Sequence, residues 1–137
     1  MRIVMFILLF LGAHLNLTAI VPLQAGDTPP PWWVGGRLLW PFAVETHTLI
    51  PAGDVLGTIT PILAFASAAC FLLAVAALLR RIVPESWFPW LIGAGAVLSI
   101  ALQVIWLSGW AVLPLLVDGA LLWAVFGRHV AVSRLHA

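Results

Sequence analysis

Residues 55–79 contain no charged side chain, nor do residues 3–21, and across residues 86–127 the only one is Asp118. Uncharged apolar runs of this length determine the solvent. An α-helix rises 1.5 Å per residue and the hydrocarbon core of a bilayer is about 30 Å thick, so about twenty apolar residues cross it. Composition agrees: 64% of the 137 residues are hydrophobic and 8% charged, whereas a water-soluble domain is about 25% charged. Such a chain cannot cover a water-exposed surface, and its length fits one membrane domain, residues 1–137.

Apolar segments are expected at about 3–21, 55–79, 88–107 and 113–132. Arg80 and Arg81 stop the second, and Ser108-Gly109-Trp110 joins the last two in a tight hairpin. The fold class predicted is therefore an all-α integral membrane protein, a four-transmembrane-helix antiparallel bundle with one long external loop, residues 22–54, between helices 1 and 2. The first segment also resembles a secretory signal peptide, with Ala19 or Ala25 near a cleavage point. Its apolar run exceeds the usual signal core, and Leu17 and Leu23 sit where small residues are preferred, so retention is expected.

Arginine placement predicts the orientation. With alternating helices, Arg2, Arg80, Arg81, Arg128 and Arg134 fall on one side and Arg37 on the other, beside Asp27, Glu45 and Asp54. Cytoplasmic flanks carry the excess of basic residues, so both termini are expected in the cytoplasm, with the chain multi-pass in the cell's inner or plasma membrane. The net charge of +1 and the lack of a basic stripe argue against nucleic acid as a partner.

The loop opens Pro29-Pro30-Pro31-Trp32-Trp33, which favours a short polyproline II piece. Trp32, Trp33, Trp40 and Phe42 are too apolar for a free linker. They are expected to anchor the loop in the headgroup layer, where tryptophan concentrates, or to dock a partner protein; a lid over a ligand is the third option.

Ionisable groups inside a membrane mark the places to look for function. His14 lies about 10 Å below the external boundary and Asp118 about 8–12 Å below it, with Gln103 near the same level. An inward-facing cluster of His14, Gln103 and Asp118 is therefore expected. Its plainest role is structural, since such hydrogen bonds contribute on the order of 0.5–2 kcal/mol and set helix register. Asp118 is expected to be protonated or to pair with His14 or Gln103. A proton relay through a His–Asp pair is the functional alternative, and a contact with another subunit is a third. Gly95, Ser99 and Gln103 on the third helix, and Thr60, Ala64, Ser67, Cys70 and Ala74 on the second, form small-residue stripes suited to close packing. Pro114, one turn before Asp118, is expected to free a carbonyl and bend its helix.

Several chemistries lack their residues. One cysteine, Cys70, supports neither a disulfide framework nor a CxxC site. His14 and His129 lie at different depths, which rules out a shared haem iron, and His47 with Glu45 and Asp54 is too spread for a metal site. Ser108-Gly109 has no G-x-S-x-G context, and no phosphate or dinucleotide loop occurs. Neither an inverted repeat nor a pair of broken helices suggests a carrier.

Two functions fit what is left. One is a small non-enzymatic accessory subunit of a larger membrane complex, partnered by the lipid bilayer and by membrane proteins or copies of itself. The other is a small-molecule protein binding a quinone or lipid-like ligand at His14, Gln103 and Asp118. No cofactor is expected, a bound quinone excepted.

Overall fold

The computed structural model describes residues 2–20, 28, 31–42, 47–107 and 109–135, and among them every regular element is helical. Helix α1 (Arg2–Leu17) continues into a 3-10 turn (Thr18–Ile20). Another 3-10 turn (Trp32–Val34) and the short α2 (Gly36–Leu39) follow in the loop. Then come α3 (Asp54–Leu78), α4 (Phe88–Trp106), α5 (Val112–Leu122) with a π-helical extension (Trp123–Gly127), and α6 (Val132–Leu135).

Among the described residues, three stretches are long and apolar enough to cross a membrane: Arg2–Ile20, Asp54–Leu78 and Glu85–Trp106. The fourth is shorter than the sequence predicts. It runs Val112–Gly127, about 24 Å at 1.5 Å per residue, and stops at Gly127 rather than continuing to residue 132. The widened π turn ends where Arg128 lays its guanidinium over the Trp123 ring, 5.5 Å from the centroid. His129 then turns left-handed at φ 49°, a conformation that breaks a right-handed helix.

The long helices form a closed ring in which α1 packs on α3, α3 on α4, α4 on α5 and α5 on α1. Neighbours run antiparallel. Trp106, at the end of α4, donates its indole N–H to Thr60, near the start of α3, at 3.0 Å. The ring has a loop end, where residues 31–42 and 47–53 and the α4–α5 turn lie, and an arginine end with Arg2, Arg80, Arg81 and Arg128.

At its centre Phe71 is wholly buried between two glycines. A Cβ on Gly95 would lie 2.9 Å from the ring and collide with Phe71, and one on Gly12 would lie 3.1 Å from it, tight enough that the ring would have to give by a few tenths of an ångström. Ser67 Oγ donates to the Gly95 carbonyl at 2.9 Å, a hydrogen bond between α3 and α4. The two small-residue stripes thus meet, and lipid-facing helices held by close contact and hydrogen bonds need such an approach.

Two of the prolines within helices, Pro61 and Pro114, differ in effect. Pro61 lies well inside α3, so its missing N–H leaves the Gly57 carbonyl without a helical partner. Pro114 is in the first turn of α5, where backbone N–H groups have no intrahelical acceptor in any case. It therefore frees no interior carbonyl, contrary to that part of the sequence expectation.

Much of the described loop is folded onto the ring. Phe42 is buried with its ring edge-on to Trp106, centroids 5.8 Å apart. Leu49 N–H donates to the Ile105 carbonyl at 2.9 Å, and Arg37 lies 5.9 Å from the Trp110 ring centroid. Pro31 is extended at φ −66°, ψ 152°, in keeping with a polyproline approach. Pro29 and Pro30 lie outside the described residues.

Candidate functional site

The rings and carbonyls around Phe71 form the floor of a polar layer. Asn16 is one turn beyond Gly12 toward the loop end, and Ser99 one turn beyond Gly95, each rising about 6 Å. Gln103 is a further turn along α4. On α5, the Val117 side chain reaches within 3.5 Å of a Cβ built on Gly12, which sets the next residue, Asp118, at the level of the floor. Helical side chains lean toward the N-terminus of their helix, so the Asp118 carboxyl tilts toward the loop end and into the layer. Ser99 lies beside it without closing a hydrogen bond.

All four side chains are buried, Asp118 at 1% and Gln103 at 3% exposure. Asn16 donates through Nδ2 to the Gly12 carbonyl at 2.8 Å. Its Oδ1, the Ser99 hydroxyl, both amide atoms of Gln103 and both carboxyl oxygens of Asp118 make no hydrogen bond to the described residues. A buried polar group left unpaired costs about 1–3 kcal/mol, and lipid offers no replacement partner. The layer therefore holds unmet hydrogen-bonding capacity, which rotation of these side chains or a guest would satisfy.

His14 does not join it. Inward residues of α1 include Met5, Leu9, Gly12, Ala13 and Asn16, a helical stripe. His14 precedes Asn16 by two positions, about 200° of rotation, and faces out of the bundle. There it packs edge-on to Trp40 with centroids 5.4 Å apart, in a recess of about 140 Å³ shared with Leu17 and Thr18. Asn16 takes the inward position that the sequence reading gives to His14, so the His–Asp pair required for a proton relay is not assembled. The inward stripe of α1 was the available signal, since it passes through Asn16 and misses His14.

The four aromatic loop residues also part company. Trp32 and Trp33 project from the loop end, 87% and 70% exposed. Trp40 is half-buried against His14. Phe42 is buried, so it pins the loop to the ring and is no outward anchor. The turn carrying Trp32 and Trp33 closes on Gly35 in the left-handed region at φ 90°, where an added Cβ would also collide with Leu39.

No protein family, curated protein or solved structure matches the chain. The geometry alone supports a functional reading.

Besides the recess beside His14, two further openings bear on the layer and the loop end. A groove of about 260 Å³ between α4 and α5 is lined by Gln103, Val104, Leu107, Ala111 and Leu115. A larger, apolar recess of about 370 Å³ lies near the start of α3, with Ala19, Leu56, Pro61 and Trp106 in its wall. No cluster of three metal-ligating side chains occurs among the described residues; Glu45, considered with His47 and Asp54, lies outside them.

Proposed function

We propose that the chain is a four-span protein of the plasma or inner membrane, with both termini cytoplasmic and residues 22–54 external, serving as a non-enzymatic accessory subunit of a larger membrane complex. Arg2, Arg80, Arg81 and Arg128 share one end of the ring and Arg37 the other, which supports that orientation by the bias of basic residues to the cytoplasmic side. The shorter fourth span is compatible with a bilayer that thins locally, with flanking aromatic and basic residues reaching the interface.

The observation that carries the accessory role is the pair Trp32 and Trp33, exposed on a turn whose flanking residues are fixed by Gly35 and by Arg37 over Trp110. Exposed tryptophans held in place supply large contact area at little ordering cost, and such side chains dominate interface energetics. Isolation of the full-length protein from its native membrane in mild detergent tests this. A stoichiometric membrane protein partner, lost when Trp32 and Trp33 are both changed to Ala, is the expected result. A monomer with no partner would overturn it.

A second reading is favoured by Gln103: the bundle holds an apolar ligand with a polar head, a quinone or another lipid-like molecule. Gln103 lines the α4–α5 groove, and its carboxamide is buried behind that wall without a hydrogen-bond partner among the described residues.

A further inference from the structure

We infer that the α4–α5 groove is the binding site for the uncharged head of a membrane-soluble amphiphile, one that both accepts and donates hydrogen bonds through carbonyl and hydroxyl groups. This rests on the ligand-binding reading above and commits it to one groove, one entry route and one head chemistry.

The head chemistry follows from Gln103. Its carboxamide offers two N–H donors and one carbonyl acceptor, and both atoms are buried and unpaired. A guest in the groove reaches both once the Gln103 side chain turns toward it, and to satisfy both it must present an acceptor and a donor close together. Charge narrows the class further. The residues lining the groove, Gln103, Val104, Leu107, Ala111 and Leu115, carry none, while Asp118 lies about a turn deeper. An anionic head such as a phosphate would meet a carboxyl group and no cation. Arg37, the described arginine at this end, lies over the Trp110 ring instead.

The entry route follows from the groove's walls. Val104, Leu107 and Leu115 are apolar and exposed, so the mouth opens sideways toward acyl chains and not upward toward water. Gln103 lies one turn from the end of α4, a depth of about 6 Å, which suits a head just below the interface. A tail leaving the mouth would run down the exposed stripe Val104, Val97 and Trp90 of α4. The groove, about 260 Å³, takes a head and leaves the tail in the bilayer. Glycerides and quinols both carry the required chemistry.

The test uses full-length protein in nanodiscs of phosphatidylcholine, with binding of monooleoylglycerol and of decylubiquinol each measured by equilibrium retention of labelled probe. Binding of either probe is expected, and which one binds identifies the source. Gln103→Leu should weaken it by about tenfold, the scale of one lost buried hydrogen-bonding partner. Ala111→Phe, which fills the groove and keeps Gln103, should weaken it to a similar degree and serves if the first variant does not fold. Retention within twofold in a folded variant of either kind would place the ligand elsewhere and overturn the site while leaving the ligand-binding reading intact. Failure of the unsubstituted protein to bind either probe would overturn the head chemistry. If native isolation also yields no lipid-soluble ligand, the reading beneath it falls as well.

Discussion

Gly95 shows at residue scale how little slack the bundle has. The Phe71 ring touches it from α3, Ser67 bonds its carbonyl, and Cys70 Cβ lies 3.2 Å from where a Cβ would sit. A methyl group there has to displace a fully buried ring, so Gly95→Ala is expected to destabilise the protein by about 1–3 kcal/mol, the usual range for overpacking. Gly119 has open space around its Cβ position, and Gly119→Ala should change stability by no more than about 0.5 kcal/mol. Reversible unfolding of both variants in mixed micelles compares them directly; equal stabilities would show that the Phe71 contact is not limiting. The same scale explains the misplacement of His14. Depth along a helix is legible in sequence because the rise per residue is fixed, and Asn16, Gln103 and Asp118 do lie in the loop half of the ring. Which way a polar residue points requires the face of its helix, and in an apolar run nearly every face is hydrophobic. On α1 the inward face is marked by Gly12 and Ala13 more than by hydrophobicity, and Gly12 with its i+4 neighbour leads to Asn16.

At the scale of elements, uncharged length was the strong signal and helix endings the weak one. Segments 3–21, 55–79 and 88–107 correspond closely to α1 with its 3-10 turn, α3 and α4, because a run free of charge leaves the backbone no alternative that satisfies its N–H and C=O groups in lipid. The fourth ended early because hydropathy cannot register a π turn, a cation over an indole ring or a left-handed His129. Pro114 was misjudged for a related reason: its effect depends on where α5 begins, and the hairpin fixes that only in three dimensions. The α3–α4 connection carries its own strain. Arg80 and Ile82 are both left-handed, at φ 56° and 58°, and Ile82 is fully exposed, so no packing contact offsets the steric cost of a β-branched residue there. Ile82→Asn is expected to stabilise the protein by about 1 kcal/mol, since asparagine tolerates this region far better. The same unfolding measurement checks it, and a loss of stability would mean that Ile82 contributes a contact with lipid that outweighs its backbone cost.

Across the whole molecule, a ring of four helices encloses a polar layer near one end and collects arginines at the other. That division gives the proposed topology: two external connections, one internal connection and both termini inside. The length of α5 makes the fourth crossing the decisive one, because a chain with three spans would place its C-terminal segment on the side opposite Arg2. The most direct test is cysteine accessibility in intact cells, in a Cys70→Ala background, with single cysteines at Thr28, Arg81 and Ser133 and a membrane-impermeant maleimide. The predicted result is labelling at Thr28→Cys from outside, with Arg81→Cys and Ser133→Cys labelled only after the membrane is opened. Labelling of Ser133→Cys from outside, with Arg81→Cys still protected, would contradict the four-span topology.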